Sequence, residues 1–177
     1  MYMKVFQLFL RREDQIGKIN KMLSDELIKK NLEAAKTIAM VGVSSLKKEV
    51  SDNIRRRPST IVMKYMQEFG YKVIPVNPFS VGEKVHGETI VGKLYDIKIP
   101  VDIVDVFRPS KEAPIIAEES IKIGAKVFWL QYGIQSEEAK KIVESKKIFY
   151  VFNRCIKQEY QKLFLKVSPV FPALKSR

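Results

Sequence analysis

Thr37-Ile-Ala-Met-Val-Gly-Val-Ser-Ser45 is an apolar run that meets a glycine and then two serines. It reads as a β-strand, Ile38 to Val43, that turns sharply at its carboxyl end, where glycine takes backbone angles closed to other residues. A strand apolar at nearly every position is covered on both faces, the condition of a parallel sheet between layers of helices. The next helix is expected to begin at Ser59-Thr60, and the amides of Ser59, Thr60 and Ile61 at such a start have no acceptor within the helix. A glycine turn facing a helix amino terminus makes an anion site whose donors need no side-chain charge.

Outward from this stretch the pattern repeats. Ser59 to Phe69 is expected to be helical, with Ile61, Val62, Tyr65, Met66 and Phe69 on one face and Gly70 as the stop. Further strands are expected at Tyr71 to Val76, Val101 to Phe107, Ala125 to Leu130 and Ile148 to Phe152. Between them come a helix from Ser110 to Gly124 with Pro114 in its first turn, a helix from Ser136 to Lys146, and a closing helix from Lys157 to Leu165. A loop with Gly82, His86, Gly87 and Gly92 holds a short strand near Lys84 to Gly87 and a brief helix around Leu94. Strands separated by helices of about 10 to 15 residues imply right-handed crossovers. The expected fold is α/β, a doubly wound parallel sheet of Rossmann-like type in three α/β/α layers with an N-terminal helical extension.

The domain reading places the extension at residues 1–36, the Rossmann-like domain at 37–165 and a C-terminal tail at 166–177. In the extension Ile16, Ile19, Leu23, Leu27, Ile28 and Leu32 recur at helical spacing, and Ser24 can cap a helix ending near Lys36. Such a stripe serves either packing beside the domain or contact in a homo-oligomer. Met3 is an alternative start to Met1.

A chain of 177 residues with 46% hydrophobic content suffices for one domain with appendages. The 32 Lys+Arg against 20 Asp+Glu give +12, which suits a nucleotide, a nucleic acid or an acidic protein, although a solvated lysine-rich surface accounts for most of the excess. One cysteine, Cys155, excludes an intramolecular disulfide, and with one histidine, His86, no zinc site is expected. The apolar runs are too short for a membrane span, and at the start the short apolar stretch precedes Arg11-Arg12, the reverse of a signal peptide. The expected location is cytoplasmic.

Ligands of such sheets lie beyond the carboxyl ends of the strands. That singles out Gly42, Val43, Ser44 and Ser45; Asn77 and Pro78; Phe107, Arg108 and Pro109; Gln131, Tyr132 and Gly133; and Asn153-Arg-Cys155. Between the first strand and its helix, the loop from Leu46 to Pro58 carries Lys47, Lys48, Arg55, Arg56 and Arg57 against Glu49 and Asp52. A dinucleotide fingerprint would need glycines where Ser44 and Lys47 stand, and no Walker pattern is present. Asn77-Pro78 stands where a nicotinamide enzyme places an acid for the ribose hydroxyls, which argues against NAD.

Taken together, Val41-Gly-Val-Ser-Ser45, Arg57-Pro-Ser59, Gly70-Tyr-Lys-Val-Ile-Pro-Val-Asn-Pro78, Val101-Asp-Ile-Val-Asp-Val-Phe-Arg-Pro109, Gly124-Ala-Lys-Val-Phe-Trp-Leu-Gln131 and Asn153-Arg-Cys155 resemble a known family. It is that of the small stand-alone CoA-binding proteins, similar to the CoA-binding domain of the succinyl-CoA synthetase alpha subunit, over about residues 37 to 165. The resemblance implies that the phosphates of coenzyme A, or of an acyl-CoA, lie at Gly42, Ser44, Ser45 and the Ser59-Thr60 helix start. It further implies that the nucleotide end lies against Val76, Asn77 and Pro78, and that Phe107, Arg108 and Pro109 line the cleft. Val43, Arg57, Pro58 and Gln131 are counted with these as cofactor-binding. Two features depart from the family pattern: the loop after Ser45 is longer and more basic, and Asn153 replaces the usual aspartate.

The function expected is binding without catalysis, as a sensor or carrier. The alternatives are an enzyme component of an acyl-CoA ligase or transferase and a nucleic-acid binder using the basic loop 47–57, which no RNA- or DNA-binding signature accompanies. No catalytic residue is assigned. Asp102 and Asp105, three apart on one strand, face opposite sides and do not form an acid/base pair. His86 reads as a loop histidine making local hydrogen bonds rather than a general base. Cys155 is either an ordinary buried cysteine or a thiol placed for a mixed disulfide with coenzyme A, with Arg154 favouring its thiolate.

Overall fold

A computed structural model describes residues 22, 24–44 and 58–165 of the chain. In chain order they form a helix at 24–34 (α1), β1 (Thr37–Val41), α2 (Pro58–Glu68), β2 (Lys72–Val76), a hairpin of β3 (Lys84–Val85) and β4 (Glu88–Thr89), and a 3-10 turn at Leu94–Asp96. There follow β5 (Ile103–Val106), a 3-10 turn at Ser110–Glu112 that runs into α3 (Ala113–Lys122), β6 (Val127–Leu130), α4 (Glu137–Glu144), β7 (Phe149–Val151) and α5 (Ile156–Tyr160), which continues as a π-helical turn at Gln161–Leu165.

Five strands make one sheet in the order β2-β1-β5-β6-β7, each neighbouring pair parallel. This is the doubly wound architecture expected from the sequence. The order reverses between β1 and β5, and with crossovers of one hand the reversal sends α2 to the face opposite α3 and α4. The side chains agree: Ala39, Val41, Val104, Val106, Phe128 and Leu130 share a core with Ala113, Ile116 and Ala117 of α3 and Ala139 and Val143 of α4. The alternate positions Ile38, Met40, Ile103, Asp105, Val127 and Trp129 are also buried, on the other face.

Several elements differ in detail from expectation. The buried stripe of α2 is Ser59, Val62, Met63 and Met66, at helical spacing, whereas Ile61 and Phe69 are exposed. The apolar residues at 61, 65 and 69 lie one position round the helix from that stripe, so composition alone pointed to the wrong edge of it. In α1 the buried pair is Ile28 and Leu32, while Leu27 is exposed. The expectations for residues 1–21 and for Leu23, for the loop 45–57 and for the tail 166–177 lie outside the described residues. The strands are also shorter than expected. Asp102, for example, precedes β5; its carboxylate accepts hydrogen bonds from the Lys36 and Thr37 amides at 2.9 and 3.1 Å and from the Lys126 ammonium at 2.8 Å.

Residues Ala35–Glu159 form one compact unit. The described residues 24–34 and 160–165 belong to a second, in which Asp25 pairs with Lys162, Tyr160 stacks on Phe164, and the Lys29 ammonium lies over the Phe164 ring.

Asp102 ties the starts of β1, β5 and β6 together. Burial alone would raise its pKa, but the Lys126 hydrogen bond and the two amides outweigh burial and hold the carboxyl below its usual value. A carboxylate favoured by the folded state contributes stability that is present above its unfolded pKa and lost as pH falls through the lowered one. Asp102→Asn is therefore expected to cost about 1–2 kcal/mol in urea unfolding at pH 7. The difference should shrink as pH falls below the ordinary carboxylate value and through the lowered one; a variant as stable as wild type at pH 7 would show that the clamp is inert.

Candidate functional site

The strand order reverses between β1 and β5, and in open α/β sheets the ligand crevice lies outside the strand ends at such a reversal. The chain leaves β1 through Gly42, whose φ is +97°, a left-handed conformation, and whose amide donates to the Val76 carbonyl at 2.8 Å. Across the reversal, the Phe107 amide donates to the Val41 carbonyl at 2.8 Å. The two turns are pressed together: a Cβ placed on Gly42 would stand 3.0 Å from Cδ of Arg108 and 3.2 Å from the carbonyl carbon and oxygen of Phe107. Glycine is needed here twice over, for its angles and for its lack of a side chain.

The next wall comes from the end of β2. Val76 belongs to the core, and Asn77 beyond it is 7% exposed. Its amide nitrogen donates to the Val43 carbonyl at 2.8 Å, and its amide oxygen accepts from Phe79 N–H at 3.0 Å. Asn77 thus fixes the two turns rather than presenting its side chain to solvent. Pro78 is exposed. The Asn77 main-chain N–H donates to the Val91 carbonyl at 2.8 Å, which joins this wall to the segment after the β3–β4 hairpin.

On the α2 side, Ser59 and Thr60 are each 5% exposed and Pro58 is exposed. Val43 is fully buried, while Gly42 and Ser44 are partly exposed. The side chains of Val43 and Thr60 are therefore turned away from solvent, and their carbonyls are held by Asn77 and His86. Ser45 and Arg57, expected beside them, lie outside the described residues, as does the rest of the basic loop 47–57.

Arg108 occupies the rim. Its Nε and Nη2 donate to the two carboxylate oxygens of Glu112 at 2.7 and 3.0 Å, a bidentate pair one helical turn apart, and its Cζ lies 6.0 Å from the centre of the Phe79 ring. Glu112 restrains the guanidinium and partly offsets its charge, leaving the Nη1 edge for another acceptor. Phe79 is 72% exposed, and Pro109 is exposed as well.

Gln131, expected to reach a ligand, is 4% exposed and donates through Nε2 to Oδ1 of Asp105 at 2.7 Å. Asp105 is fully buried, and its Oδ2 has no hydrogen-bond partner among the described residues. Burial raises this carboxyl to about 7, against the smaller opposing effects of Gln131 and the Val106 amide. The Asp105–Gln131 pair was not foreseen; its signal was an acidic residue inside an otherwise apolar strand. Asp102 and Asp105 do stand apart, one at the strand entrance and one in the core.

The corner after β7 holds Asn153 at φ +51°, where its amide oxygen accepts from Gly133 N–H at 2.8 Å. An asparagine suits a left-handed position that also needs an acceptor. Arg154 does not serve Cys155 as expected: its Nη1 lies 3.3 Å from Glu159. Burial, with the Asp105 charge adding to it, pushes the Cys155 thiol above its usual value, the direction opposite to activation.

Among the described residues no three His, Cys, Asp or Glu side chains are grouped to hold a metal, and no helix is long and apolar enough to cross a membrane.

An uncharacterized Bacillus subtilis protein, YneT, is 40% identical over 130 residues, which is 73% of this chain and 89% of that protein. A Thermus thermophilus protein of known structure is 37% identical with a TM-score of 0.71, covering 79% of this chain and 98% of its own. A hypothetical protein from Pyrococcus horikoshii is likewise 37% identical with a TM-score of 0.70, covering 78% and 91%. The family model for the CoA binding domain matches residues 36–161, the whole of the sheet with its crevice, and the chain belongs to that CoA-binding family.

Proposed function

We propose that the chain binds coenzyme A or an acyl-CoA in the crevice between the ends of β1 and β5 and holds it without transforming it, as a sensor or carrier. The phosphates lie against the Gly42–Ser44 turn and the first turn of α2. The reading is carried by the packing of Gly42 on Phe107 and Arg108, where an added Cβ has no room. That packing draws the Gly42 turn tight against β5 at the switch in strand order; the Gly42 amide is itself bonded to the Val76 carbonyl, so the donors that meet an anionic ligand are the amides that open α2. Coenzyme A fits the remaining groups: the Nη1 edge of Arg108 supplies a cation, and exposed Phe79 an aromatic face for the adenine. Asn77, whose amide is committed to Val43 and Phe79, has no carboxylate to grip ribose hydroxyls as a nicotinamide site would.

Calorimetric titration of the protein with coenzyme A, dephospho-CoA, NAD and ATP tests the reading. Heat is expected with coenzyme A, less with dephospho-CoA, and least with NAD. Equal or absent heat for all four overturns it.

A further inference from the structure

The β3–β4 hairpin turns through two residues, His86 and Gly87, with φ of +47° and +84°. Both are left-handed, as a type I′ turn requires, and the first position of such a turn is best filled by asparagine, aspartate or glycine. Histidine is a poorer choice for the turn itself, so its presence calls for a gain elsewhere. The gain lies across the groove to α2. The His86 Nε2 stands 2.9 Å from the Thr60 carbonyl in the first turn of that helix, where it must carry the hydrogen and donate, and the His86 carbonyl accepts from Nε2 of Gln67 near the helix end at 3.4 Å.

The hairpin is anchored on its other side as well. Val91, which follows it, donates to the Pro75 carbonyl at 3.0 Å and accepts from the Asn77 amide at 2.8 Å, while the Asn77 side chain holds the Val43 carbonyl. A hydrogen-bonded route therefore runs from Val43 through Asn77 and Val91 to the hairpin, and through His86 to Thr60. It joins the turn after β1 to the start of α2, the two walls between which the phosphates are placed.

We infer that His86 is a positioning residue for the phosphate site, holding the first turn of α2 at the distance from the Gly42 turn that the ligand needs. The inference rests on the coenzyme A reading above. Asparagine at this position keeps or improves the turn but is too short to reach Thr60, so His86→Asn separates the strap from the hairpin. Glutamine is longer and carries an amide donor that can reach the same carbonyl.

The test is calorimetry with coenzyme A, together with thermal melting, on wild type, H86N, H86A and H86Q. H86N and H86A are expected to weaken binding about tenfold, as befits the loss of one hydrogen bond. H86N should melt at or above the wild-type temperature, and H86Q should restore affinity to within about threefold of wild type. An H86N protein that binds coenzyme A as tightly as wild type overturns the positioning role and leaves the coenzyme A reading standing. Wild-type protein that gives no heat with coenzyme A overturns that reading, and this inference with it.

Discussion

Gly42→Ala is expected to lower coenzyme A affinity at least tenfold and to cost about 2–4 kcal/mol of stability, and Gly42→Val to abolish detectable binding. Two effects combine. The φ of +97° penalises any side chain, and the new Cβ meets the Phe107 carbonyl carbon and oxygen at 3.2 Å, main-chain atoms fixed by the β1–β5 pairing. Arg108 Cδ, at 3.0 Å, can swing aside, but doing so disturbs the pair with Glu112. Gly70 supplies the control. It closes α2 at φ +89°, with its own amide bonded to Gln67 and the Tyr71 amide to Met66, yet nothing lies within 4 Å of a Cβ placed on it. Gly70→Ala thus carries the conformational penalty without the contact, about 1 kcal/mol, and should leave affinity unchanged. Urea unfolding and calorimetry on the two variants separate angle from approach. A Gly42→Ala protein that binds as wild type does would mean that the ligand does not depend on this turn.

The contrast between these glycines shows what a sequence can carry. A glycine after an apolar strand announces a turn, and the strand ends announce where ligands go, because both follow from local pattern. That Gly42 is pressed against Phe107, residues far apart in the chain, depends on the order of strands, which local pattern does not contain. The same limit explains His86. Its neighbours advertise a turn, but its partner Thr60 is met only once the hairpin is docked. At α4 the limit appears differently. Lys147 takes the left-handed position that ends the helix, at φ +59°, with its amide bonded to Glu144 and the Ile148 amide to Val143. No glycine marked that stop. Gln131 likewise reads as a strand-end residue facing a ligand, and becomes a core residue because Asp105 on the neighbouring strand needs a donor.

That pair sets the second large effect, on stability against pH. In the unfolded chain the Asp105 carboxyl has its ordinary value of 3.8; in the fold, burial raises it to about 7. Between these values the folded protein keeps a proton that the unfolded chain has released, so stability falls as pH rises, by about 1.4 kcal/mol per unit at most. Below 3.8 the group contributes nothing to the pH dependence, and above 7 the full penalty is in place, on the order of 4 kcal/mol. The geometry agrees with a neutral acid: Oδ1 accepts from Gln131, and the proton belongs on Oδ2, which as a carboxylate oxygen would lie buried without a donor among the described residues. Asp105→Asn copies that neutral form, keeping the acceptor for Gln131 and removing the ionisation. Its unfolding free energy should match wild type near pH 4 and exceed it by a few kcal/mol at pH 8. Cys155 adds to the alkaline end, since its thiol is also held neutral and ionisation of either group opposes the other. Urea unfolding of Asp105→Asn and wild type from pH 4 to 8 reads the difference directly. An asparagine variant that is no more stable at pH 8 than wild type would show that Asp105 ionises in the core at little cost.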